Sequence, residues 1–579
     1  MHRGKNRLFK SCLFLLAAVP LFAQTAYLRT TIKSGTSSCI PWVDSGAKAG
    51  SAWATTANYI EVFPDTQYQT VLGFGGTFQE VWWDAMTPLS AAGKDSVIRA
   101  FFDTSGCNFN WGRIPIGLCD YDDEAAPYSL DDSSGDYQLK YFSLHRDSTK
   151  RIPLIKMAQA YQPGLRFFGS PWSPPGWMKT GGSYTGSNMK SDSATLTAYA
   201  LYLDKFVQGY KAAGINVDAV CCQNEPDQNK SYPSCLWSDT LERTFYSKYF
   251  VPRFRKDSLS ARIILGVFCC GNYSDWVPFC MSDTVIANFM GFLSHSFETS
   301  GQSWGPQAVA AYPTIPFIET ESSYKAGNSA DWSTGVNQFS DLAVYMSTVR
   351  ASEFTEWDCV NNQTSGAGGS WNSAQDVMVN INSSTGIVTY NPYFYAAKHF
   401  GHYVKVGAKA VKFSTTGISN LVSAAFKNPN GDVIFVTNNT SSSANPITIK
   451  VGTEMFMATL PPNSFNTLRI VGATSVQPEM QLHSSAMPEL GNLRIRNSML
   501  YFALPASLNA QEMNIILTDL QGRRVWTEHR SGLAIQGKQV FAIRSAQGGL
   551  HSGTYLLTVK IKNGVSAVTT FEQKVATVD

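Results

Sequence analysis

Short apolar stretches alternate with longer stretches of helical periodicity between residue 71 and residue 406. Near-continuous apolar runs are typical of parallel strands, because both faces of such strands are covered. The longer stretches repeat apolar positions every three to four residues, as amphipathic helices do. The pattern predicts eight strands, at residues 71–76, 109–117, 165–171, 217–226, 263–268, 290–295, 315–321 and 353–357. It also predicts helices at residues 88–102, 151–160, 193–213, 336–350 and 393–406.

Eight strands that alternate with helices indicate the α/β class and a (β/α)8 TIM barrel, closed by right-handed crossovers. We assign residues 67–409 to this barrel. TIM barrels carry their chemistry where the strands end, so polar residues at those ends are the first candidates for function.

The segments that flank the barrel have β-rich runs separated by turn residues. Because the ends of a domain commonly lie close together, we expect residues 24–66 and 410–471 to form one side β-domain. Residues 472–489 have the composition of a linker. Residues 490–579 are predicted to form a C-terminal β-sandwich-like domain, with a turn at Asp519–Arg524 and a late strand at Gly553–Val559.

The N-terminus has the pattern of an export signal. Four basic side chains within residues 3–10 precede an apolar run at residues 12–19, and Ala23 ends a plausible cleavage site. We therefore expect a signal peptide at residues 1–23 and a secreted or cell-surface protein. No later stretch reaches about 18 apolar residues, so no transmembrane segment is predicted. Ten of the 11 cysteines follow the signal, and export permits disulfides whose pairing the sequence leaves open.

Composition narrows the function classes. Hydrophobic residues make up 44% of the chain and charged residues 15%, which excludes a disordered chain. A net charge of +3 does not indicate a nucleic-acid partner. No Cys or His residues have metal-ligand spacing, so neither a metal nor a cofactor is expected. The 14 Trp and 25 Tyr suit either sugar binding or a large core.

Two predicted strands end in carboxylates. The fourth ends in Asn224-Glu225-Pro226, where the proline cannot donate to a strand ladder, and the seventh ends in Glu321. In a closed barrel these ends face each other across the mouth. Two carboxylates about 5–5.5 Å apart are what a retaining glycosidase requires. Glu319 lies two residues before Glu321 and shares its face, so periodicity alone leaves both as candidates.

Six motifs at or after predicted strand ends resemble glycoside hydrolase family 30, which includes glucosylceramidases, β-1,6-glucanases and some xylanases. The motifs are Gly73–Gly76, Arg113–Asp120, Asp136–Leu139 with Phe142–Leu144, Ser170–Lys179, Gln223–Pro226 and Phe317–Glu321. The resemblance spans roughly residues 66–470. It implies that Glu321, after Thr320, is the nucleophile, that Glu225 is the acid/base, and that Asn224 holds the sugar 2-hydroxyl.

The resemblance also implies substrate-binding roles for other residues. Asp120 matches a residue that binds the outer hydroxyls of glucose, and its alternative is a loop cap. Trp172 matches a wall of the same subsite, with a buried loop anchor as its alternative. Trp357 matches the closing residue of the pocket floor. Arg113 is expected to pair with a catalytic carboxylate, and a structural salt bridge is the alternative.

Two positions depart from the family. The family often has an aromatic hydroxyl two residues after the His of the sixth strand, whereas His295 is followed by Ser296 and Phe297. We keep His295 as a substrate-binding candidate, with a structural role as its alternative. The sequence after Gly76 is closer to the β-1,6-glucanase branch than to the glucosylceramidase branch. We interpret Glu80 there as a surface acid, with a position facing the pocket as its alternative.

The sequence therefore predicts a secreted retaining β-glycoside hydrolase that acts on β-linked glucan or β-glucosides without a cofactor. The alternatives are a xylan or glucuronoxylan hydrolase of the same family and a non-catalytic carbohydrate-binding protein. The last domain is similar to type IX secretion sorting domains at Leu517–Val525 and Gly553–Val559. A secretion machinery would then be its partner, and a carbohydrate-binding module is the alternative.

Overall fold

The computed structural model describes residues 25–36, 38–49, 58–122, 127–269, 273–296, 299–323, 331–362, 377–471, 491–496, 499–503, 510–518, 524–535, 538–542, 554–563 and 567–578. The chain divides into two compact units, Met1–Val476 and Gln477–Asp579. The predicted signal peptide and the predicted linker lie outside the described residues. No helix in the part of the chain described above is long and apolar enough to cross a membrane.

The first unit begins with three strands and continues into a closed barrel of eight parallel strands in chain order. The leading strands are β1 (Thr25–Lys33), β2 (Cys39–Ala49) and β3 (Tyr59–Thr70). The barrel strands are β4 (Gly73–Thr77), β5 (Trp111–Pro115), β6 (Arg166–Ser170), β7 (Val217–Val220), β8 (Arg262–Leu265), β9 (Met290–Ser296), β10 (Phe317–Ser322) and β11 (Glu353–Glu356). A barrel strand lies within or overlaps each predicted stretch, so the eight strands and the TIM barrel are confirmed.

Helices follow the barrel strands on the outside. They are α1 (Glu80–Ala85), α2 (Ala91–Phe102), α3 (His145–Thr149), α4 (Arg151–Tyr161), α5 (Ser193–Ala212), α6 (Asp239–Phe245), α7 (Val251–Lys256), α8 (Tyr273–Met281), α9 (Thr284–Ala287), α10 (Thr299–Ala311) and α11 (Trp332–Val344). Ser90, Asp192 and Asp331 cap α2, α5 and α11 by accepting a backbone N–H of the first turn. The helices bury their apolar faces on the outer surface of the barrel, in one continuous core.

A separate apolar cluster fills the barrel interior. Trp111 of β5 meets Phe292 of β9 edge to face at 5.6 Å, although these strands lie on opposite sides of the barrel. Phe168, Ile264 and Ile318 belong to the same cluster. Apolar packing therefore closes the barrel interior, and the polar strand ends lie at one mouth.

After the barrel, a three-stranded sheet and a helix lead into the side domain. These elements are β12 (Val360–Asn362), β13 (Val379–Ile381), β14 (Val388–Tyr390) and α12 (Pro392–Gly401). The side-domain strands are β15 (Lys409–Thr416), β16 (Ser423–Lys427), β17 (Val433–Asn439), β18 (Asn445–Val451), β19 (Glu454–Leu460) and β20 (Ser464–Val471). They form a nine-stranded sheet with the N-terminal strands, in which β1 pairs with β20 and β3 pairs with β15 and β18. The expected joining of the two flanking segments is confirmed.

The side domain is tied to the barrel through a buried histidine. The ring nitrogens of His399, on α12, lie 2.8 Å from the hydroxyl of Thr467 and 3.1 Å from that of Thr31. Burial lowers the pKa of His399 well below its usual value, so the ring is neutral and one nitrogen accepts.

The second unit contains a seven-stranded sheet in the order β24-β23-β26-β27-β21-β22-β25. Its strands are β21 (Gly491–Arg496), β22 (Met499–Ala503), β23 (Ala510–Thr518), β24 (Arg524–Ile535), β25 (Lys538–Ala542), β26 (Thr554–Asn563) and β27 (Ala567–Val578). The predicted late strand corresponds to β26. Residues 519–523, which hold most of the predicted turn, lie outside the described residues.

Candidate active site

The loop that follows β7 carries Asn224 and Glu225. The ladder ends at Val220, so the predicted strand was too long by six residues. Glu225 adopts φ +47°, a left-handed conformation that costs an L-residue about 1–2 kcal/mol. Two backbone hydrogen bonds offset this cost: Glu225 N–H donates to the Val267 carbonyl at 2.8 Å, and Asn224 N–H donates to the Pro171 carbonyl at 2.7 Å. Both side chains are buried.

A β-bulge at the end of β10 sets the position of Glu321. Glu319 pairs with His295 of β9, and Glu321 pairs with Ser296, so β10 advances two residues where β9 advances one. The Glu319 carboxylate accepts the backbone N–H of Glu321 at 3.2 Å. The bulge interrupts the alternation of faces on which the sequence argument relied.

Arg113 of β5 connects the two strand ends. Its Nη1 donates to the Glu321 carboxylate and to the Thr320 carbonyl at 3.1 Å. Its Nη2 donates to Asn224 Oδ1 at 2.6 Å and to Ser170 Oγ at 3.0 Å. The Arg113 side chain has no solvent exposure. This buried cation therefore favours the ionised form of Glu321 and also orients the Asn224 amide.

Two tryptophans form a wall beside this arginine. The rings of Trp172 and Trp357 stack at 4.9 Å with an interplanar angle of 24°. The Arg113 guanidinium lies 4.4 Å from the Trp172 ring and 5.6 Å from the Trp357 ring. Tyr121 meets Trp357 edge to face at 5.3 Å. Trp172 and Trp357 are only 1% and 2% exposed, so the stack shields Arg113 from water.

Glu225 has the opposite electrostatic environment. Burial, and then the charge of Glu321, raise the pKa of Glu225 to about 8. The charge of Asp120 contributes to this rise, and the charge of Lys230 opposes it. Tyr232 Oη makes a long contact of 3.5 Å with Glu225 Oε2. At neutral pH Glu225 therefore holds a proton, while Glu321 faces a cation.

Asp120 lies on a loop that a buried ion cluster fixes. The neighbouring Asp122 accepts from Cys119 N–H at 2.8 Å, from Glu80 N–H at 3.0 Å and from Arg151 Nη2 at 2.9 Å. Asp122 and Arg151 have no side-chain exposure. The loop that presents Asp120 is thus bound to the start of α1 and to α4.

Glu80 belongs to the same cluster, and its interpretation as a surface acid was wrong. Its carboxylate is fully buried and accepts from Tyr128 at 3.0 Å, from Arg146 at 3.1 Å and from Lys150 at 3.3 Å. Burial opposes its ionised form, but the charges of Arg151, Arg146 and Lys150 together lower its pKa. These partners lie 48–70 residues away in sequence, so no local pattern indicates them.

The fold brings seven predicted residues together where barrel strands end: Arg113, Asp120, Trp172, Asn224, Glu225, Glu321 and Trp357. His295 lies on β9, where its backbone pairs with Glu319, and Phe297 is outside the described residues. Sequence reasoning missed Ser170, Tyr121 and Tyr232. Ser170 and Tyr121 lie inside or beside quoted motifs, which was the available signal. Across the described ranges, no three Cys, His, Asp or Glu side chains are grouped as a metal site.

Most cysteines in the described ranges are free thiols. Eight cysteines in the described ranges are free thiols: Cys39, Cys107, Cys119, Cys221, Cys222, Cys235, Cys280 and Cys359. Cys269, which follows β8, is disulfide-bonded. Burial raises the pKa of Cys221 to about 11, so this thiol beside Ser170 is neutral.

A parallel eight-stranded barrel with two carboxyls in opposite environments at its mouth is the arrangement that TIM-barrel glycoside hydrolases use. Comparison with known proteins gives the family. Residues 71–404 match the glycosyl hydrolase family 30 TIM-barrel domain, and residues 407–468 match the glycosyl hydrolase family 30 beta sandwich domain. The chain therefore belongs to glycosyl hydrolase family 30.

Named relatives span two activities. Putative glucosylceramidase 2 of Caenorhabditis elegans is 28% identical over 439 residues, which cover 72% of this chain and 84% of that protein. Endo-1,6-beta-D-glucanase of Neurospora crassa is 34% identical over 182 residues, which cover 31% of this chain and 37% of that protein. Among solved structures, the endo-beta1,6-glucanase BT3312 superposes with a TM-score of 0.67 at 21% identity, over 77% of this chain and 99% of that one. At 21% identity, this superposition shows similarity of fold alone.

Proposed function

We propose that the protein is an exported retaining β-glycoside hydrolase that cleaves β-linked glucan or β-glucosides by double displacement. The observation that carries the proposal is the contrast between the two carboxyls. Glu321 contacts the Arg113 guanidinium, whereas burial and the charge of Glu321 raise the pKa of Glu225 to about 8. One group is thus suited to attack and the other to donate a proton.

In the first step, the Glu321 carboxylate attacks the anomeric carbon and forms a glycosyl ester. The bond between this carbon and the leaving oxygen breaks, and Glu225 transfers its proton to that oxygen. In the second step, the now ionised Glu225 takes a proton from water, whose oxygen attacks the same carbon. The ester bond breaks, Glu321 leaves as a carboxylate, and Glu225 is protonated again.

The sugar would be held by groups around these carboxyls. Asn224 is oriented by Arg113 and is placed next to the acid, as a ligand of the 2-hydroxyl would be. Asp120 is near enough to Glu225 to raise its pKa, so it can bind other hydroxyls of the same ring. Glucose is favoured because the named relatives include glucosylceramidases and endo-1,6-glucanases. His295 remains a proposed substrate contact.

Product analysis tests the proposal. The protein is incubated with β-1,6-glucan, β-1,4-glucan, glucuronoxylan and a panel of aryl β-glycosides, and the first-formed anomer is followed by proton NMR. We expect hydrolysis of a β-glucan or an aryl β-glucoside, with the β-anomer released first. Turnover of glucuronoxylan alone would favour the xylanase alternative. Carbohydrate binding without turnover on any sugar would favour a non-catalytic binding protein, and release of the α-anomer would refute the retaining mechanism.

Export is the second part of the proposal. It rests on the basic and apolar segments within residues 1–23 and on the similarity of residues 490–579 to sorting domains. Expression with and without residues 490–579 in a host that has type IX secretion, followed by fractionation, tests it. Retention of only the shortened protein supports sorting, whereas equal export of both points to another role for the domain, such as carbohydrate binding.

A further inference from the structure

Two loops meet beside the candidate acid. Residues 171–192 follow β6 and begin with the motif that contains Trp172, whereas residues 221–238 follow β7 and contain Glu225 and Tyr232. Backbone hydrogen bonds join these loops: Ser234 N–H donates to the Tyr184 carbonyl at 3.1 Å, and the Met189 N–H donates to the Leu236 carbonyl at 3.1 Å. The position of the second loop therefore depends on the first.

A buried amine lies at the junction. Lys179 is 1% exposed. Its Nζ donates to Ser173 Oγ at 3.0 Å, to the Tyr184 carbonyl at 2.8 Å and to the Ser234 carbonyl at 2.7 Å. Two acceptors belong to the first loop and one to the second. The three donors of an ammonium are all used, and a neutral amine has only two.

This cation has no carboxylate partner among the described residues. Burial without a counter-ion lowers the pKa of Lys179 to about 8, so the amine is still charged at neutral pH. The thiol of Cys235 also acts on this amine, but burial raises the pKa of that thiol to about 12, so the thiol is neutral. A methionine of similar length would avoid the desolvation of a charge, but it would leave the three acceptors without this donor.

A short chain of contacts leads from Lys179 to the acid. Lys179 donates to the Ser234 carbonyl, and the Ser234 hydroxyl lies within hydrogen-bond distance of two carbonyls, that of Tyr232 at 3.1 Å and that of Lys230 at 3.2 Å. The same hydroxyl accepts Gly186 N–H from the first loop at 3.1 Å. The Tyr232 hydroxyl then contacts Glu225 Oε2. The placement of Tyr232 is thus fixed through Ser234.

We propose that Lys179 is a positioning residue for acid catalysis, because its ammonium joins the two loops and thereby holds Tyr232 against the Glu225 carboxyl. The inference rests on the proposed role of Glu225 as proton donor. It assigns Lys179 no contact with substrate. Because Glu225 moves a proton in both steps, the effect on acid catalysis is isolated in kcat/KM, which reports the first step.

Lys179→Met removes the donors and keeps the length of the side chain. Lys190→Met is the matched control, because Lys190 lies on the same loop and donates to one carbonyl only, that of Trp177 at 2.8 Å. We expect K179M to lower kcat/KM at least about tenfold on β-glucosides with poor leaving groups, but no more than about threefold on activated aryl β-glucosides. Lys179→Arg, which keeps the charge and several donors, should recover part of the loss. Equal losses on both substrate classes, or a K190M variant that behaves like K179M, would overturn the inference.

Hydrogen exchange separates this inference from the proposed function. Amide exchange is measured by mass spectrometry on the full chain for peptides that cover residues 226–238. Faster exchange there in K179M than in K190M supports the link between the loops, even if the wild-type protein hydrolyses no glycoside. Equal exchange in the two variants overturns the link, whatever the activity.

Discussion

Arg113 and Glu321 form a buried ion pair that joins the second strand of the barrel to the seventh. The same guanidinium binds the amide oxygen of Asn224, the residue before Glu225. One cation therefore fixes the candidate nucleophile and also the backbone neighbour of the candidate acid. The stacked tryptophans on its face keep water away and strengthen both contacts.

Replacing this cation should impair catalysis strongly. Arg113→Met leaves a buried carboxylate without its partner, and breaking such a pair typically costs about 3–5 kcal/mol. We expect kcat/KM on an aryl β-glucoside to fall at least about a hundredfold. Arg166→Met is the control, since Arg166 at the start of β6 also contacts a tryptophan, Trp111 at 4.3 Å, and pairs with Asp218 away from the strand ends. A similar loss in both variants would contradict a specific role of Arg113 at the site.

Substitutions of Glu321 and Glu319 should have different effects on kcat. Glu321→Gln removes the attacking carboxylate, and we expect kcat to fall by at least about a thousandfold. Glu319→Gln keeps an oxygen that can accept the Glu321 N–H, so its loss should stay within about tenfold. Steady-state kinetics on an aryl β-glucoside, with circular dichroism to verify folding, gives the comparison. The reverse order of losses would assign the nucleophile to Glu319.

The distinction between these two glutamates marks the limit of sequence reasoning. Hydrophobic patterning predicts all eight barrel strands, because each is a short and mostly buried run. The bulge in β10 depends on pairing with β9 and β11, which lie distant in the chain, so alternation cannot reveal it. The prediction for Glu80 was wrong for the same reason, since the partners of its carboxylate come from residues 128–150. Family motifs find residues at strand ends, whereas contacts between loops, such as that of Lys179 with Ser234, require the fold.

The effect of substituting Glu225 should depend on the leaving group of the substrate. Glu225→Gln cannot donate a proton, so kcat/KM should fall about a hundredfold or more for alkyl β-glucosides and far less for dinitrophenyl β-glucoside. In the wild-type protein, kcat/KM for the alkyl substrate should fall as pH rises through about 8, because the acid loses its proton there. That alkaline limb should be absent from E225Q. Equal losses on both substrates would exclude the acid role.

The burial of Glu242 should lower the free energy of unfolding of the barrel unit as pH rises. This carboxyl of α6 is buried beneath the loop that carries Glu225, where it accepts from Trp276 Nε1 and Cys222 Sγ. Burial raises its pKa to about 7, whereas an exposed glutamate ionises near 4.5. Between these values the folded protein holds a proton that the unfolded chain releases, so the stabilisation is complete below about pH 4.5 and is lost on the way to pH 7.

The Glu242→Gln variant has no titratable group at this position, so it lacks this contribution to the pH dependence of unfolding. The free energy of unfolding of the barrel unit, measured by urea titration from pH 5 to pH 7, should depend less steeply on pH in E242Q than in the wild-type protein. One proton accounts for up to about 1.4 kcal/mol per pH unit. Asp65→Asn is the control: its carboxylate is 97% exposed, and the slope should match that of the wild-type protein. An E242Q slope equal to the wild-type slope would mean that Glu242 is ionised in the folded protein, against the effect of its burial.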